Sequence, residues 1–218
     1  LDAKDCHISI GWLDVGTQIG DPGYEQQEDQ DSLARAAMRG GYTAIASLPN
    51  TKPSIHSKSE VLYLKNNAAQ QLVDVFPIGA ISKNCSGEEL AELYDMQQVG
   101  AVAFSDGKYP IVRSGVLLRA LDYCKTFDGL VMNHPHDSSL VKEGQMHEGI
   151  VSTSMGLRGI PNIAEELMVQ RDIELLAYTQ SKLHLLNIST AKSVALVRAA
   201  KAQGLNITAS VAAMNLTH

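Results

Sequence analysis

The sequence is short of cysteine, has no basic excess, no long apolar run and no glycine-rich phosphate loop. Each shortage closes a class of function. Its 218 residues carry 18 Lys+Arg against 24 Asp+Glu, a formal charge of −6. With no basic block in that mildly acidic balance, neither nucleic acid nor an anionic membrane surface is expected as a main partner. No apolar run approaches the roughly 18–20 residues that span a bilayer. Cys6, Cys85 and Cys124 are odd in number and widely spaced, so they make no disulfide framework, and a reducing cytoplasm is the expected compartment. The chain opens at Leu1-Asp2-Ala3 with neither an initiator Met nor a signal peptide, and reads as part of a longer protein.

What is present is an alternation of short apolar runs and longer stretches of helical periodicity. Strands are expected at Ile8–Asp14, Tyr42–Leu48, Val73–Ile81, Gly100–Phe104, Gly129–Asn133, Lys182–Ile188 and Leu205–Val211. Between them the periodicity predicts helices over 28–39, with Leu33, Ala36 and Ala37 on one face, and over 58–72. Ser86-Gly87-Glu88-Glu89 has the form of a capping box opening the next helix. Further helices are predicted over 114–126, from near Pro161 (carrying Ile163, Leu167, Val169, Leu175 and Leu176), and over 190–203. Residues 135–160 read as a long loop.

Apolar rather than alternating strands, each followed by a helix, mean a parallel sheet covered on both faces. A doubly wound sheet would announce itself with G-x-G-x-x-G or a Walker A loop, and Gly16-x-x-x-Gly20 is neither. The expected fold is therefore an α/β, (β/α)8 TIM-like barrel, although such barrels want about 250 residues and one more βα unit. Chemistry in either architecture sits at the C-terminal strand ends. There the sequence places Asp14-Val15-Gly16-Thr17-Gln18, Pro49-Asn50-Thr51, Ser105-Asp106-Gly107, Asn133-His134-Pro135-His136-Asp137 and Asn187-Ile188-Ser189-Thr190.

Several segments then match a family in order and spacing: Asp21-Pro22-Gly23-Tyr24-Glu25, Leu48-Pro49-Asn50-Thr51-Lys52-Pro53, Gly100 to Gly107, Met146-x-Glu148-Gly149, Ala164-Glu165-Glu166 and Ile188-Ser189-Thr190-Ala191. Together they resemble the class I dihydroorotases of the amidohydrolase superfamily, over essentially the whole of residues 1–218. The resemblance implies that a small β-subdomain and the last barrel unit lie outside these residues. It also implies the reversible closure of N-carbamoyl-L-aspartate to dihydroorotate in de novo pyrimidine biosynthesis. In the family, zinc polarises the amide and generates hydroxide.

Measured against the family pattern, this chain departs at the metal site. The first-strand motif Asp-x-His-x-His-Leu-Arg-(Asp/Glu)-Pro-Gly stands as Asp14-Val15-Gly16-Thr17-Gln18-Ile19-Gly20-Asp21-Pro22-Gly23. The two histidine positions are thus Gly16 and Gln18, and the substrate-binding arginine position is Gly20. The sixth-strand histidine position is Asn187. His134 remains at the fifth-strand ligand position, Asp106 at the bridging position and Asn50 at a substrate-contact position. Glycine offers zinc nothing and neutral amides are poor ligands. Only His134 and Asp106 remain as residual metal candidates, and loss of the metal site is expected, with no cofactor.

Each of these residues also has a plainer reading. His134 fits a hydrogen-bonded barrel-rim histidine, with Pro135 ending the strand and turning His136 away. Asp106 before Gly107 fits a loop cap, Asn50 ordinary turn chemistry and Asp14 a hydrogen bond with neighbouring backbone. His184 fits a core histidine. His147 lies in the long loop, and with His7, His56 and His218 it carries no constellation. Ser189-Thr190 fits a helix N-cap, while Glu88-Glu89 and Glu165-Glu166 fit solvated first turns of helices.

Two functions of different class follow. One is a non-catalytic dihydroorotase homologue acting as a structural partner of aspartate transcarbamoylase, with a homodimer implied by the resemblance. The other is an active zinc-dependent dihydroorotase or a related allantoinase or hydantoinase. A metal-free module that senses a pyrimidine precursor is a third reading.

Overall fold

The computed structural model describes residues 9–68, 71–141 and 143–216. Cys6, His7, His218 and the first residue of the expected Ile8–Asp14 strand lie outside them. The elements run β1 (Trp12–Thr17), α1 (Gln30–Arg39), β2 (Tyr42–Ser47), α2 (Lys58–Ala68), β3 (Asp74–Gly79), α3 (Leu93–Gln98), β4 (Ala103–Phe104) and α4 (Ser114–Lys125). They continue with β5 (Val131–Asn133), β6 (Met146–His147), α5 (Ile150–Met155), β7 (Gly159–Ile160), α6 (Ile163–Thr179), β8 (Leu183–Leu185), α7 (Ala191–Ala202) and β9 (Ile207–Ala209).

Seven strands form one parallel sheet in the order β1-β2-β3-β4-β5-β8-β9. All seven expected strands are present, with a helix in each gap. The first is displaced along the chain and the others are shorter. Successive residues face opposite sides of the sheet. Ile45, Phe104, Val131, Leu183, Leu185 and Ile207 face the helices and build the larger core with Leu33, Leu64, Leu117, Val169 and Val197. Ala46, Leu48, Ile78, Ala103, Met132 and Leu186 meet on the other side. Residues from β2, β3, β4 and β5 and from the end of β8 reach one inner cluster because the sheet curls, as a parallel α/β barrel wall does.

Asp29 opens α1, its carboxylate accepting from Ser32 N at 2.7 Å while the Ser32 hydroxyl accepts from Asp29 N at 3.2 Å. The buried face of α1 is Leu33, Ala34 and Ala37, and Ala36 lies outside it. In α6 the buried positions are Ala164, Met168, Val169, Asp172, Leu176 and Thr179, whereas Ile163 and Leu167 are exposed.

The helix expected at Ser86 is absent. Asn84, Cys85 and Gly87 all take positive φ, and Lys83 N donates to Glu89 O at 2.9 Å while Ser82 bridges Leu90. This doubled-back loop leaves Glu88 and Glu89 paired with Arg113 and Lys83, and α3 starts only at Leu93. Residues 135–160 are likewise more than loop. They contain a two-stranded parallel arm, Met146 beside Gly159 and His147 beside Ile160, with α5 between its strands. No helix among the described residues is long and apolar enough to cross a membrane.

Candidate functional site at the C-terminal mouth of the sheet

The loop after β1 is closed on itself. Thr17 Oγ1 donates to Asp14 at 2.8 Å, a local bond from a side chain where one with neighbouring backbone was expected. Gly16 has φ +103°, a conformation side chains rarely adopt, although the space around it is open. Gly20 is walled in: a Cβ there would lie 2.3 Å from Glu28 O and 2.4 Å from Tyr24 O. Tyr24 N donates to Gly20 O at 2.6 Å, and Asp21 accepts from Tyr63 at 2.8 Å and Gln30 at 3.2 Å. The loop thus fills the space that a longer side chain at position 20 would need.

Asn50 and Asp106 are both occupied in holding loops together. Asn50 Nδ2 donates to Asp106 O at 3.0 Å, and its Oδ1 accepts from Lys108 N at 3.0 Å. Between those two bonds sits Gly107, φ +64°, where a Cβ would collide with Asn50. The buried Asp106 carboxylate accepts from Ser82 N at 2.9 Å and, very closely, from the Ser82 hydroxyl. Burial pushes the Asp106 carboxyl up against the opposing pull of the Ser82 bonds. Both of its oxygens are used to pin the 82–90 loop, the structural reading of this residue. Cys85, in that loop, is pushed up to about 12 by burial and then by the Asp106 charge.

A second part of the mouth collects imidazoles. His134, His136, His147, Glu165, Asn187 and Thr190 line one cavity of about 260 Å³. The His134 and His136 rings stack with centroids 5.6 Å apart and planes at 18°. Pro135 therefore does not turn His136 away, because β5 already ends at Asn133 and the next residues bend together over the mouth. The β6–β7 arm brings His147 to the same cavity, a placement the loop reading of 135–160 missed. His134 Nδ1 has only a long contact with Leu186 O at 3.4 Å, and burial, then the neighbouring His134, holds His136 below the usual imidazole range. Asn187 sits at φ +54°, a left-handed conformation that Asn tolerates better than most residues.

Glu165 is not a solvated residue. It accepts from Ser189 N at 2.9 Å, Ser189 Oγ at 2.7 Å, and Thr190 N and Oγ1 at 3.0 Å each, across the start of α7. Thr190 is the N-cap expected there, accepting from Ser193 N at 3.1 Å. Burial raises the Glu165 carboxyl, but bonds from Ser193, Ser189 and Thr190 outweigh it and leave it below the usual range. His184, inside β8, bonds Thr208 Oγ1 at 2.7 Å, and burial lowers it. His56 closes a local turn onto Ser54 O at 2.9 Å.

The network beneath this mouth went unread in the sequence. Asp172 is fully buried on α6 and takes Arg171 Nη2 at 2.6 Å and Asn133 Nδ2 at 2.7 Å. Arg171 also donates to Ile111 O and Val112 O, and Asn133 Oδ1 accepts from Ile111 N at 3.1 Å. The signal available was a carboxylate on the apolar stripe Met168, Asp172, Leu176.

The residues singled out by sequence therefore separate. Gln18, Gly20 and Asn50 line one cavity with Lys108, while His134 and Asn187 line the other. Asp106 is turned to Ser82. Among the described residues no three His, Cys, Asp or Glu side chains are grouped to hold a metal ion. Of the family's metal positions, His134 keeps an imidazole, Gly16 offers no donor, Gln18 and Asn187 offer amides, and the Asp106 carboxylate is taken by Ser82.

A dihydro-orotase-like family model matches residues 7–193. Dihydroorotase of Syntrophotalea carbinolica is 44% identical over 213 residues, covering 97% of this chain and 50% of that protein. Dihydroorotase of Pelotomaculum thermopropionicum is 44% identical over 217 residues, covering 100% and 51%. The chain thus spans about half the length of the curated relatives it matches. Among solved structures, L-hydantoinase from Arthrobacter aurescens superposes with a TM-score of 0.75 at 21% identity, covering 92% of this chain and 46% of that one. Dihydroorotase from Saccharomyces cerevisiae gives 0.69 at 13% identity, covering 97% and 58%. These likenesses establish the fold as that of the amidohydrolase barrels.

Proposed function

This chain belongs to the dihydroorotase-like family, and from that membership we propose a member that has kept the barrel wall while giving up metal-dependent hydrolysis. Its role in this reading is structural, as a cytoplasmic partner of aspartate transcarbamoylase in pyrimidine biosynthesis. The observation that carries it is the loop over Gly20, which is closed by the carbonyls of Glu28 and Tyr24 where the family places its substrate arginine. The direction a side chain would take from Gly20 is filled by backbone, although Gly20 also borders the cavity it shares with Gln18 and Asn50. Asp106, committed to Ser82, supports the same reading. Co-expression with aspartate transcarbamoylase tests the role: a complex that survives gel filtration is expected, and separate elution of the two proteins contradicts it.

A second reading, an active zinc-dependent dihydroorotase or a related cyclic-amide hydrolase, draws on His134, His136 and His147 in one cavity and on relatives named dihydroorotase. It requires zinc to be held by a set other than the family's. Metal content after purification with zinc, compared between the parent and His134→Ala, separates the two.

A further inference from the structure

Residues 18–34 hold five carboxylates, Asp21, Glu25, Glu28, Asp29 and Asp31, and no Lys, Arg or His. Among the described residues none of the five enters an ion pair. Asp21, Asp29 and Asp31 line one cavity of about 390 Å³ between the starts of α1 and the end of α2, and no cation lines it with them. Their partners are neutral. Asp21 accepts from the Tyr63 hydroxyl at 2.8 Å and Gln30 Nε2 at 3.2 Å, Asp29 from Ser32 N at 2.7 Å, and Asp31 from Gln71 Nε2 at 2.5 Å.

A hollow of about 390 Å³ beside it has a different lining, Pro22, Pro53 and Tyr63 with Ser59 and Glu60. The two share a wall. Pro22 follows Asp21, the Tyr63 hydroxyl reaches Asp21, and Ser59, Tyr63, Asn66 and Asn67 follow one another down one side of α2. Tyr63 is 42% exposed, and Glu60 is already taken by Ser57 N at 2.8 Å. Lys52 and Lys58 neighbour the hollow in sequence, but neither lines it nor pairs with the carboxylates.

An apolar hollow beside uncompensated negative charge complements a chain with an apolar side chain next to positive ones. We propose that this face docks a basic segment of a partner protein. Its apolar side chain sits between Pro22, Pro53 and Tyr63, and its Lys or Arg lies beside Asp29 and Asp31. A single metal ion does not suit the place, because among the described residues no three carboxylates are grouped to hold one. Charges spread along a peptide do suit it. The assignment does not rest on aspartate transcarbamoylase being that partner.

Fluorescence anisotropy of the full-length protein tests it with the labelled peptide Lys-Lys-Phe-Lys-Lys beside Lys-Lys-Ser-Lys-Lys. The Phe peptide is expected to bind about tenfold more tightly, the scale of one buried apolar side chain. Tyr63→Ser abolishes that difference and Tyr63→Phe keeps it. Asp29→Asn combined with Asp31→Asn weakens both peptides about tenfold, since two charges are lost while the Asn still caps α1. Circular dichroism confirms that each variant is folded. Equal binding of the two peptides, indifference to Tyr63→Ser, or displacement by spermidine as effective as by unlabelled Phe peptide overturns the proposal, the last by marking a site for any polycation. Co-elution with aspartate transcarbamoylase is read separately, so either result can stand without the other.

Discussion

The side-chain amide of Asn133, the last residue of β5, donates to the buried carboxylate of Asp172 on α6 at 2.7 Å. Through Arg171 the same carboxylate is tied to the carbonyls of Ile111 and Val112, so one aspartate joins a strand end, a helix and the loop after β4. Asn133 directly precedes His134, so the network fixes the strand end from which that histidine leaves.

Removing that carboxylate leaves Arg171 and the Asn133 amide without their partner in a buried place. Asp172→Ala is expected to destabilise the fold by about 3 kcal/mol, in the range found for breaking buried pairs. Urea unfolding followed by circular dichroism measures this. An unchanged midpoint would mean the network holds nothing.

Gly16 and Gly20 lie only four residues apart, yet substitutions at the two separate two kinds of constraint. Gly16→Ala meets only the left-handed φ and is expected to cost about 1 kcal/mol. Gly20→Ala drives a methyl into two backbone carbonyls and is expected to cost about 2 kcal/mol or more. Gly20→Arg therefore disrupts the loop instead of restoring a substrate contact. Unfolding midpoints of the two alanine variants give the order, and a more stable Gly20→Ala than Gly16→Ala would contradict it.

Glu165 closes the start of α7, and its carboxyl lies below its ordinary range in the folded protein. A depressed carboxylate contributes stability that is present above the unfolded value, near 4.5, and is lost as pH falls through the lower folded value. The stability difference between the parent and Glu165→Gln is expected to be about 1 kcal/mol at pH 7, as for a helix cap, and to shrink below about pH 4. Unfolding curves at pH 7, 5 and 3.5 check the sign. A difference that grew on acidification would reverse it.

Cys85 and Cys124 are buried, and burial pushes both thiols up to about 12. Since the thiolate is the reactive form, neither should react with iodoacetamide at pH 8 until urea unfolds the chain. Peptide mapping of the labelled native protein reads each site separately.

The sheet was legible because its strands read as apolar runs between helix-period segments, and β4 and β5 are buried throughout. Thr190 was legible as a cap for the same local reason: a hydroxyl three residues before a free N–H. Ser86 carried an equally good local signal and was misleading, because the loop is fixed from outside by Asp106 reaching Ser82. Glu165 looked solvated since nothing local showed that the start of α7 lies against it. His136 and His147 could not be joined in the sequence, as the β6–β7 arm that brings them together is held by two short pairings. Local chemistry set the elements, and long-range contacts set the mouth.

The most direct test of the account is hydrolysis of dihydroorotate by the full-length protein, with and without excess zinc. The account predicts no turnover above background in either case. Zinc-dependent turnover that is lost in His134→Ala would contradict it and place the catalytic metal among the imidazoles of His134, His136 and His147.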